Sequence, residues 1–166
     1  MKLLFTLILL LAVSSYAKPV ESYVLYDADN HSVVTGSNIH EVKPVASLTK
    51  LMTAMVYIDS GDYKQELLER LLIRSDNTAA EQIAKEYSGG RSSFIRAMNT
   101  KADSIGLSET YYNDPTGLGV FNRSTAREYV DVVLEADKYP LIKKISATYE
   151  KKIEVGKKRF HTLRNT

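Results

Sequence analysis

The chain has 166 residues and a formal net charge of only +2, with 22 basic against 20 acidic side chains. This near balance gives no support for nucleic-acid binding. The sequence contains no cysteine, which excludes a thiol nucleophile, disulfide bonds and a cysteine-based metal site. With 44% apolar residues at this length, a single globular domain is predicted.

The first 17 residues have the pattern of a secretory signal peptide. Lys2 supplies the positive charge, residues 3–13 form an apolar run, and Ser15 and Ala17 are the small residues of a cleavage site. The apolar run is too short to span a bilayer, which takes about 20 residues. We therefore expect residues 18–166 to form one exported domain that keeps no membrane span after signal-peptide cleavage.

The rest of the chain is predicted to contain one β-hairpin followed by several helices. Tyrosine- and valine-rich segments on either side of a turn-rich stretch predict the hairpin over residues 22–36. A lone hairpin is marginal in water, so it must pack against other elements. Apolar periodicity, capping residues and glycines predict helices over residues 47–60, 63–73, 78–85, 92–105, about 126–136 and 141–145. The basic run of residues 151–158 is interpreted as solvated surface.

Ser47 and Lys50, at the start of the first helix, can form an activated nucleophile. Residues three apart in a helix share a face, with Cβ atoms roughly 5–6 Å apart. A serine hydroxyl is a weak nucleophile, and a lysine whose pKa is lowered by burial can act as its base. The residues after Lys50 are apolar nearly all round, which predicts an interior helix. The same spacing also fits an ordinary helix in which Ser47 is the N-cap.

Ser75, Asp76 and Asn77 interrupt the apolar pattern between two predicted helices. Residues of these types are typical of loops and of helix N-caps. By themselves they indicate an ordinary connection between helices. Their position after the Ser47-x-x-Lys50 pattern suggests a second interpretation, in which the two segments belong to one active site.

Ser47-Leu-Thr-Lys50 and Ser75-Asp-Asn77 resemble the first two of the three motifs of the penicillin-recognising serine enzymes, S-x-x-K, S-D-N and K-T-G. The chain is most similar to the low-molecular-mass penicillin-binding proteins, which are D-alanyl-D-alanine carboxypeptidases and endopeptidases. Similar stretches follow in order along nearly all of residues 18–166, among them Asp114-Pro-Thr-Gly-Leu and Asn122-Arg-Ser-Thr-Ala-Arg.

The resemblance implies an α+β fold of the β-lactamase/transpeptidase-like class. The helical subdomain is expected to be mostly present. The antiparallel sheet is expected to be incomplete and to consist of the N-terminal hairpin only.

The resemblance also implies roles for four residues. Ser47 would attack the carbonyl between two D-alanines, or a D-amino-acid cross-link, in a peptidoglycan stem peptide, with Lys50 as its base. Ser75 would pass a proton to the leaving group, and Asn77 would hydrogen-bond Lys50 and the substrate amide. The Ser47 N–H would be one oxyanion donor. β-Lactams would acylate Ser47 as covalent inhibitors, and no metal or organic cofactor enters this chemistry.

The sequence departs from the family pattern in two respects. It contains no Lys-Thr-Gly or Lys-Ser-Gly and stops at Thr166, where relatives would continue toward that triplet. Loss of one oxyanion donor, such as the one expected near the triplet, typically costs about 10²–10³ in kcat. Only 24 residues separate Lys50 from Ser75, about half of the family's interval, so the wall of the cleft is expected to differ.

The main alternative is therefore a catalytically inactive or truncated relative that at most binds peptidoglycan or β-lactams. A β-lactamase is disfavoured because the loop around Asp114 has no glutamate to serve as a deacylation base. A lysine-based esterase would use the same Ser47 and Lys50, and only substrate trials would separate it. The three histidines are scattered, so they predict neither a metal cluster nor a Ser-His-Asp triad.

Overall fold

A computed structural model of the chain describes residues 21–154 and 160–165. The predicted signal peptide at residues 1–17 lies outside them. Six α-helices and three antiparallel strand pairs are found in the described residues, which confirms the predicted α+β class. None of the helices in this part of the chain combines the length and the hydrophobicity that a membrane span requires.

The helices follow the order predicted from the apolar periodicity. Their bounds are α1 Thr49–Asp59, α2 Gln65–Ile73, α3 Asn77–Glu86, α4 Gly90–Ser104, α5 Ala126–Asp137 and α6 Pro140–Ser146. The start of α4 was expected near residue 92, but the helix already begins at Gly90. The predicted helix at Ser47 begins instead with a 3₁₀ turn, Ala46–Leu48, which continues directly into α1.

α1 lies at the centre of the helical part. Met52, Ala54 and Met55 have no exposed surface, and the helix packs against α2, α4 and α5. The predicted interior helix is therefore confirmed. Leu67 and Leu71 of α2 are also buried, as their helical spacing predicts.

The predicted N-terminal hairpin is also confirmed. β1 (Tyr23–Asp27) pairs antiparallel with β2 (Ser32–Ser37), and the register shifts between Leu25 and Tyr26. Asp27 closes the turn by accepting hydrogen bonds from the N–H groups of Asp29 and Asn30. The hairpin is supported by α5, against which it packs.

The expectation that the N-terminal hairpin would be the only sheet element is wrong. β5 (Glu150–Glu154) and β6 (Phe160–Arg164) form a second antiparallel strand pair. β5 overlaps the segment 151–158 that the sequence predicts as solvated surface, whereas β6 follows that segment. Leu163 of β6 is buried, and Lys151 of β5 forms an ion pair with the buried Glu69 of α2. The lysines of residues 151–158 indicate an exposed segment, so they did not predict a strand. Among the described residues, Leu163 and Lys151 make contacts between this strand pair and the helical part.

Two very short strands bring distant parts of the chain together in front of α1. β3 (Lys43–Pro44) pairs with β4 (Arg123–Ser124), so that Pro44 lies opposite Arg123. The next N–H, that of Val45, donates to the carbonyl oxygen of Asn122 over 3.1 Å. As a result, the 3₁₀ turn that carries Ser47 is held beside the segment that precedes β4.

Candidate active site

The candidate nucleophile and base meet at the N-terminal end of α1. Lys50 Nζ donates a hydrogen bond to Ser47 Oγ over 3.1 Å. Ser47 is an exposed residue, whereas Lys50 is only 3% exposed. An accessible hydroxyl backed by a buried amine is the arrangement that activation of a serine by a lysine requires.

Lys50 has a second partner in a distant part of the chain. Its Nζ donates to the carbonyl oxygen of Thr116 over 2.7 Å. One turn further along α1, the hydroxyl of Thr53 donates to the carbonyl oxygen of Pro115 over 2.8 Å. These two bonds attach α1 to residues 114–122, which we call the 114–122 loop. The lysine amine is thus held between its own serine and a fixed carbonyl.

Burial lowers the pKa of the Lys50 amine, because desolvation disfavours the charged ammonium. The carboxylates of Asp114 and Asp76 act in the opposite direction without outweighing burial. A lowered pKa increases the neutral fraction of the amine at a given pH. Only the neutral form can accept the proton of Ser47, so the environment of Lys50 favours a general base.

The backbone next to Ser47 is strained at Ala46 and packs closely against Gly117. Ala46 has φ +44°, a left-handed conformation that a residue with a Cβ rarely adopts. A Cβ at Gly117, whose φ is +80°, would overlap the carbonyl oxygen of Ala46. Only glycine fits this close approach of two backbones. Strain of this kind tends to occur at functional sites, where the surrounding structure maintains it.

A buried network gives the 114–122 loop its shape. Asp114 Oδ1 accepts hydrogen bonds from the N–H and the hydroxyl of Thr116 and from the N–H of Gly117, at 2.6–2.7 Å. Burial acts to raise the pKa of Asp114, but these hydrogen bonds outweigh it and hold the pKa below its ordinary value. The fully buried Asn122 donates to Asp114 O and to Thr49 Oγ1, each over 2.9 Å. The carbonyl of Thr116 therefore reaches Lys50 from a rigid loop.

Sequence reasoning treated this region as a structured loop and gave Thr116 no part in the site. Every residue has a backbone carbonyl, so the amino-acid type at position 116 does not indicate that its carbonyl binds Lys50. The Asp114-Pro-Thr-Gly sequence does indicate a local turn. In such turns an aspartate side chain accepts hydrogen bonds from the backbone N–H groups two and three residues further along the chain.

The Ser75-Asp76-Asn77 segment connects α2 to the start of α3. Asp76 is the N-cap of α3, and its Oδ1 accepts from the N–H groups of Thr78 and Ala79 at 2.8 and 3.1 Å. Ser75 has φ +53°, again a left-handed non-glycine residue. α3 packs against α1, and the charge of Asp76 contributes to the pKa of Lys50. The Asp76 charge thus acts on Lys50 from the start of a helix that packs against α1.

The structure does not join all four predicted residues by hydrogen bonds. Among the described residues, neither Ser75 nor Asn77 forms a hydrogen bond with Ser47 or Lys50. Asn77 Oδ1 is nevertheless buried and lacks a partner in this part of the chain. A buried amide oxygen without a donor is costly, and such atoms are frequent where a partner or substrate group binds.

Within residues 21–154 and 160–165, no group of three or more histidine and carboxylate side chains is arranged to hold a metal ion. The groups found together at this site are the serine hydroxyl, the buried amine and the Thr116 carbonyl. An exposed hydroxyl beside a buried amine can attack an acyl carbon and form an ester.

Comparison with known proteins identifies the family of this chain. A family model described as D-alanyl-D-alanine carboxypeptidase matches residues 12–66 and 63–166. A D-alanyl-D-alanine endopeptidase of Escherichia coli strain K12 is 34% identical over 158 residues, which cover 78% of this chain and 51% of the relative. The chain spans about half the length of the curated relatives it matches.

Solved structures agree at the level of the fold. The D-alanyl-D-alanine carboxypeptidase of Mycobacterium tuberculosis H37Rv superposes with a TM-score of 0.80 at 25% identity, over 89% of this chain and 66% of that one. Penicillin-binding protein D2 of Listeria monocytogenes in its cefotaxime-bound form gives a TM-score of 0.75 at 20% identity, over 88% and 72% of the two chains. The predicted β-lactamase/transpeptidase-like fold is thereby confirmed.

Proposed function

Because this chain belongs to the D-alanyl-D-alanine carboxypeptidase family, we propose that it is a serine D,D-peptidase that acts on peptidoglycan. Its substrates would be stem peptides that end in D-Ala-D-Ala or carry a D-amino-acid cross-link. The observation that carries this proposal is the hydrogen bond between the buried Lys50 Nζ and the exposed Ser47 Oγ. The sequence similarity to peptidases of this specificity supports it.

In the first step, neutral Lys50 accepts the proton of Ser47 Oγ while that oxygen attacks the carbonyl carbon of the scissile amide. The carbonyl oxygen becomes an oxyanion, for which the N–H of Ser47 at the start of the helical turn is the proposed donor. The Thr116 carbonyl keeps the Lys50 amine in place during this transfer.

In the second step, the C–N bond breaks and the leaving amine takes a proton. We assign this delivery to Ser75, which receives the proton that Lys50 removed. Asn77 would hydrogen-bond both Lys50 and the substrate amide, and its partnerless buried Oδ1 supports that assignment. The product is an ester on Ser47, which water then hydrolyses to free the carboxylate and the hydroxyl.

β-Lactams would acylate Ser47 by the same attack, with the ring amide in place of the peptide bond. A structural neighbour with this fold has been solved with cefotaxime bound. The substrate also implies an extracytoplasmic site of action, in the periplasm or cell-wall space. We therefore retain the proposal that residues 1–17 are a signal peptide and that the domain covers residues 18–166.

The proposal is tested with two synthetic substrates, a peptide ending in D-Ala-D-Ala and a purified cross-linked muropeptide dimer. Release of D-alanine would identify a carboxypeptidase, and conversion of dimer to monomer would identify an endopeptidase. Ser47→Ala must abolish either activity. If the folded chain leaves both substrates and a penicillin unchanged, the proposal fails and the alternative of a non-catalytic relative stands.

A further inference from the structure

Ser75 adopts a left-handed backbone conformation that is unfavourable for serine. Its φ of +53° lies in the left-handed region, which is unfavourable for a residue with a Cβ. It stands in the three-residue connection 74–76 between α2 and α3, where neither helix fixes its backbone. Contacts on both sides of Ser75 must therefore supply the stabilisation.

Arg70, in the last turn of α2, makes those contacts. Its Nε and Nη2 donate to Asp76 Oδ2 over 3.0 and 2.8 Å. Its carbonyl oxygen accepts from the N–H groups of Arg74 and Asp76 over 3.3 and 3.2 Å. One residue thus binds both chain neighbours of Ser75. The other oxygen of Asp76 caps α3, so the same contacts connect the end of α2 to the start of α3.

The Arg70–Asp76 pair is more sheltered than an ordinary surface ion pair, because the two side chains are only 24% and 25% exposed. A charged fork that makes two hydrogen bonds to one carboxylate oxygen fixes direction as well as distance. Burial acts to raise the pKa of Asp76, but the hydrogen bond from Arg70 and those from the α3 N–H groups hold it below its ordinary value. Asp76 therefore stays ionised and paired at neutral pH.

We propose that Arg70 is a positioning residue for the site: by holding Asp76, it keeps Ser75 in its left-handed conformation and directs Ser75 and Asn77 toward Lys50. This inference rests on the proposed function, in which Ser75 delivers the proton. It assigns a part in the chemistry to a side chain that lies on α2 and belongs to none of the recognised motifs.

The pair also has an electrostatic consequence. The carboxylates that act on Lys50 are Asp114 in the 114–122 loop and Asp76 at the start of α3. Tyr129 of α5 lies at the N-terminal end of α1, where its hydroxyl donates a hydrogen bond to the carbonyl oxygen of Leu48 over 2.7 Å. Arg70 is the cation bound to Asp76, so its removal leaves that negative charge without a counterion. The pKa of Lys50 should then rise, and removal of the Asp76 charge should lower it.

The test compares four variants of the full chain: Arg70→Met, Arg70→Lys, Asp76→Asn and Arg127→Met. The last is the matched control, since Arg127 also forms one part-exposed ion pair, with Asp131, over 3.0 Å. The first measurement is the backbone ¹³C chemical shifts of Ser75, which report its conformation whether or not the chain has activity. The second is the pH profile of acylation by a fluorescent penicillin.

We expect Arg70→Met to move the Ser75 shifts away from left-handed values and to slow acylation about 10- to 100-fold. Its acylation profile should move to higher pH, and that of Asp76→Asn to lower pH. Arg70→Lys keeps the charge but loses the fork, so it should lie between wild type and Arg70→Met. Arg127→Met should match wild type in both measurements.

Unchanged Ser75 shifts in Arg70→Met, or acylation within twofold of wild type, would overturn the inference. If Arg70→Met does not fold, the same criteria apply to Arg70→Lys, with an intermediate effect expected. If the wild-type chain is not acylated at all, the proposed function fails. The Ser75 shifts and a ¹³Cε-lysine NMR titration of Lys50 then still decide whether Arg70 holds this segment.

Discussion

Lys50 Nζ lies 2.7 Å from the carbonyl oxygen of Thr116, a residue 66 positions further along the chain. This bond links the helix that carries the nucleophile to a loop whose own shape is fixed by Asp114 and Asn122. The orientation of the candidate base therefore depends on residues far from the Ser47-x-x-Lys50 pattern. Three predictions follow from the packing and charge of that loop.

Gly117→Ala should be much more harmful than Gly61→Ala, although both glycines have positive φ, +80° and +76°. The added methyl at residue 61 meets nothing within 4 Å, so it should cost only the left-handed strain of about 1–2 kcal/mol. The methyl at residue 117 would also overlap Ala46 O, and overpacking adds about 1–3 kcal/mol. Urea denaturation measures both. Equal losses in the two variants would show that the contact with Ala46 is not tight.

Asn122→Ala should destabilise the chain by about 2–4 kcal/mol, because it leaves Thr49 Oγ1 and the N–H groups of Asn113 and Asp114 without their buried partner. Asn30→Ala is the control, since Asn30 is exposed and its side chain makes one hydrogen bond, to Asp27. That control should change the free energy of unfolding by less than about 1 kcal/mol. An Asn122→Ala variant as stable as the control would contradict the role given to this network.

Asp114→Asn should move the pH profile of acylation to lower pH. The Asp114 carboxylate raises the pKa of Lys50, so its neutralisation lowers that pKa. The neutral amine is the active base, and its fraction rises as pH increases through the pKa. A lower pKa therefore brings the rising limb of the profile to lower pH. Asp131→Asn removes a carboxylate that does not act on Lys50 and should leave the limb in place. A limb that moves to higher pH in Asp114→Asn would refute this electrostatic account.

Much of the fold could be predicted from the sequence because its helices follow simple rules. Leu67 and Leu71 repeat at helical spacing and are buried in α2. Thr125, one of the residue types that commonly cap helices, accepts a hydrogen bond from the N–H of Glu128 over 3.0 Å at the start of α5. The second strand pair was missed because residues 151–158 contain four lysines, which indicate an exposed segment. Its stability comes from Leu163 and from the pairing of Lys151 with Glu69, both of which depend on the tertiary fold.

The candidate site was predictable only where side chains carry it. Ser47 and Lys50 were paired by spacing, and the hydrogen bond between them agrees with that prediction. The Thr116 carbonyl and the left-handed turns at Ala46 and Ser75 are backbone features that depend on how distant segments pack. The sequence predicts no role for Arg70, because nothing in it connects this residue to Asp76.

The central claim is that Ser47 is a nucleophile activated by Lys50. The most direct measurement is acylation of the purified chain by a fluorescent penicillin, read by intact mass and by denaturing gel. The variants are Ser47→Ala and Lys50→Met at the N-terminal end of α1. Ser60→Ala, which follows the C-terminal end of that helix, is the control.

We predict one covalent adduct on wild type and on Ser60→Ala, none on Ser47→Ala, and a rate lower by at least about 100-fold on Lys50→Met. A folded wild-type chain without an adduct, or an adduct that persists in Ser47→Ala, would contradict the claim.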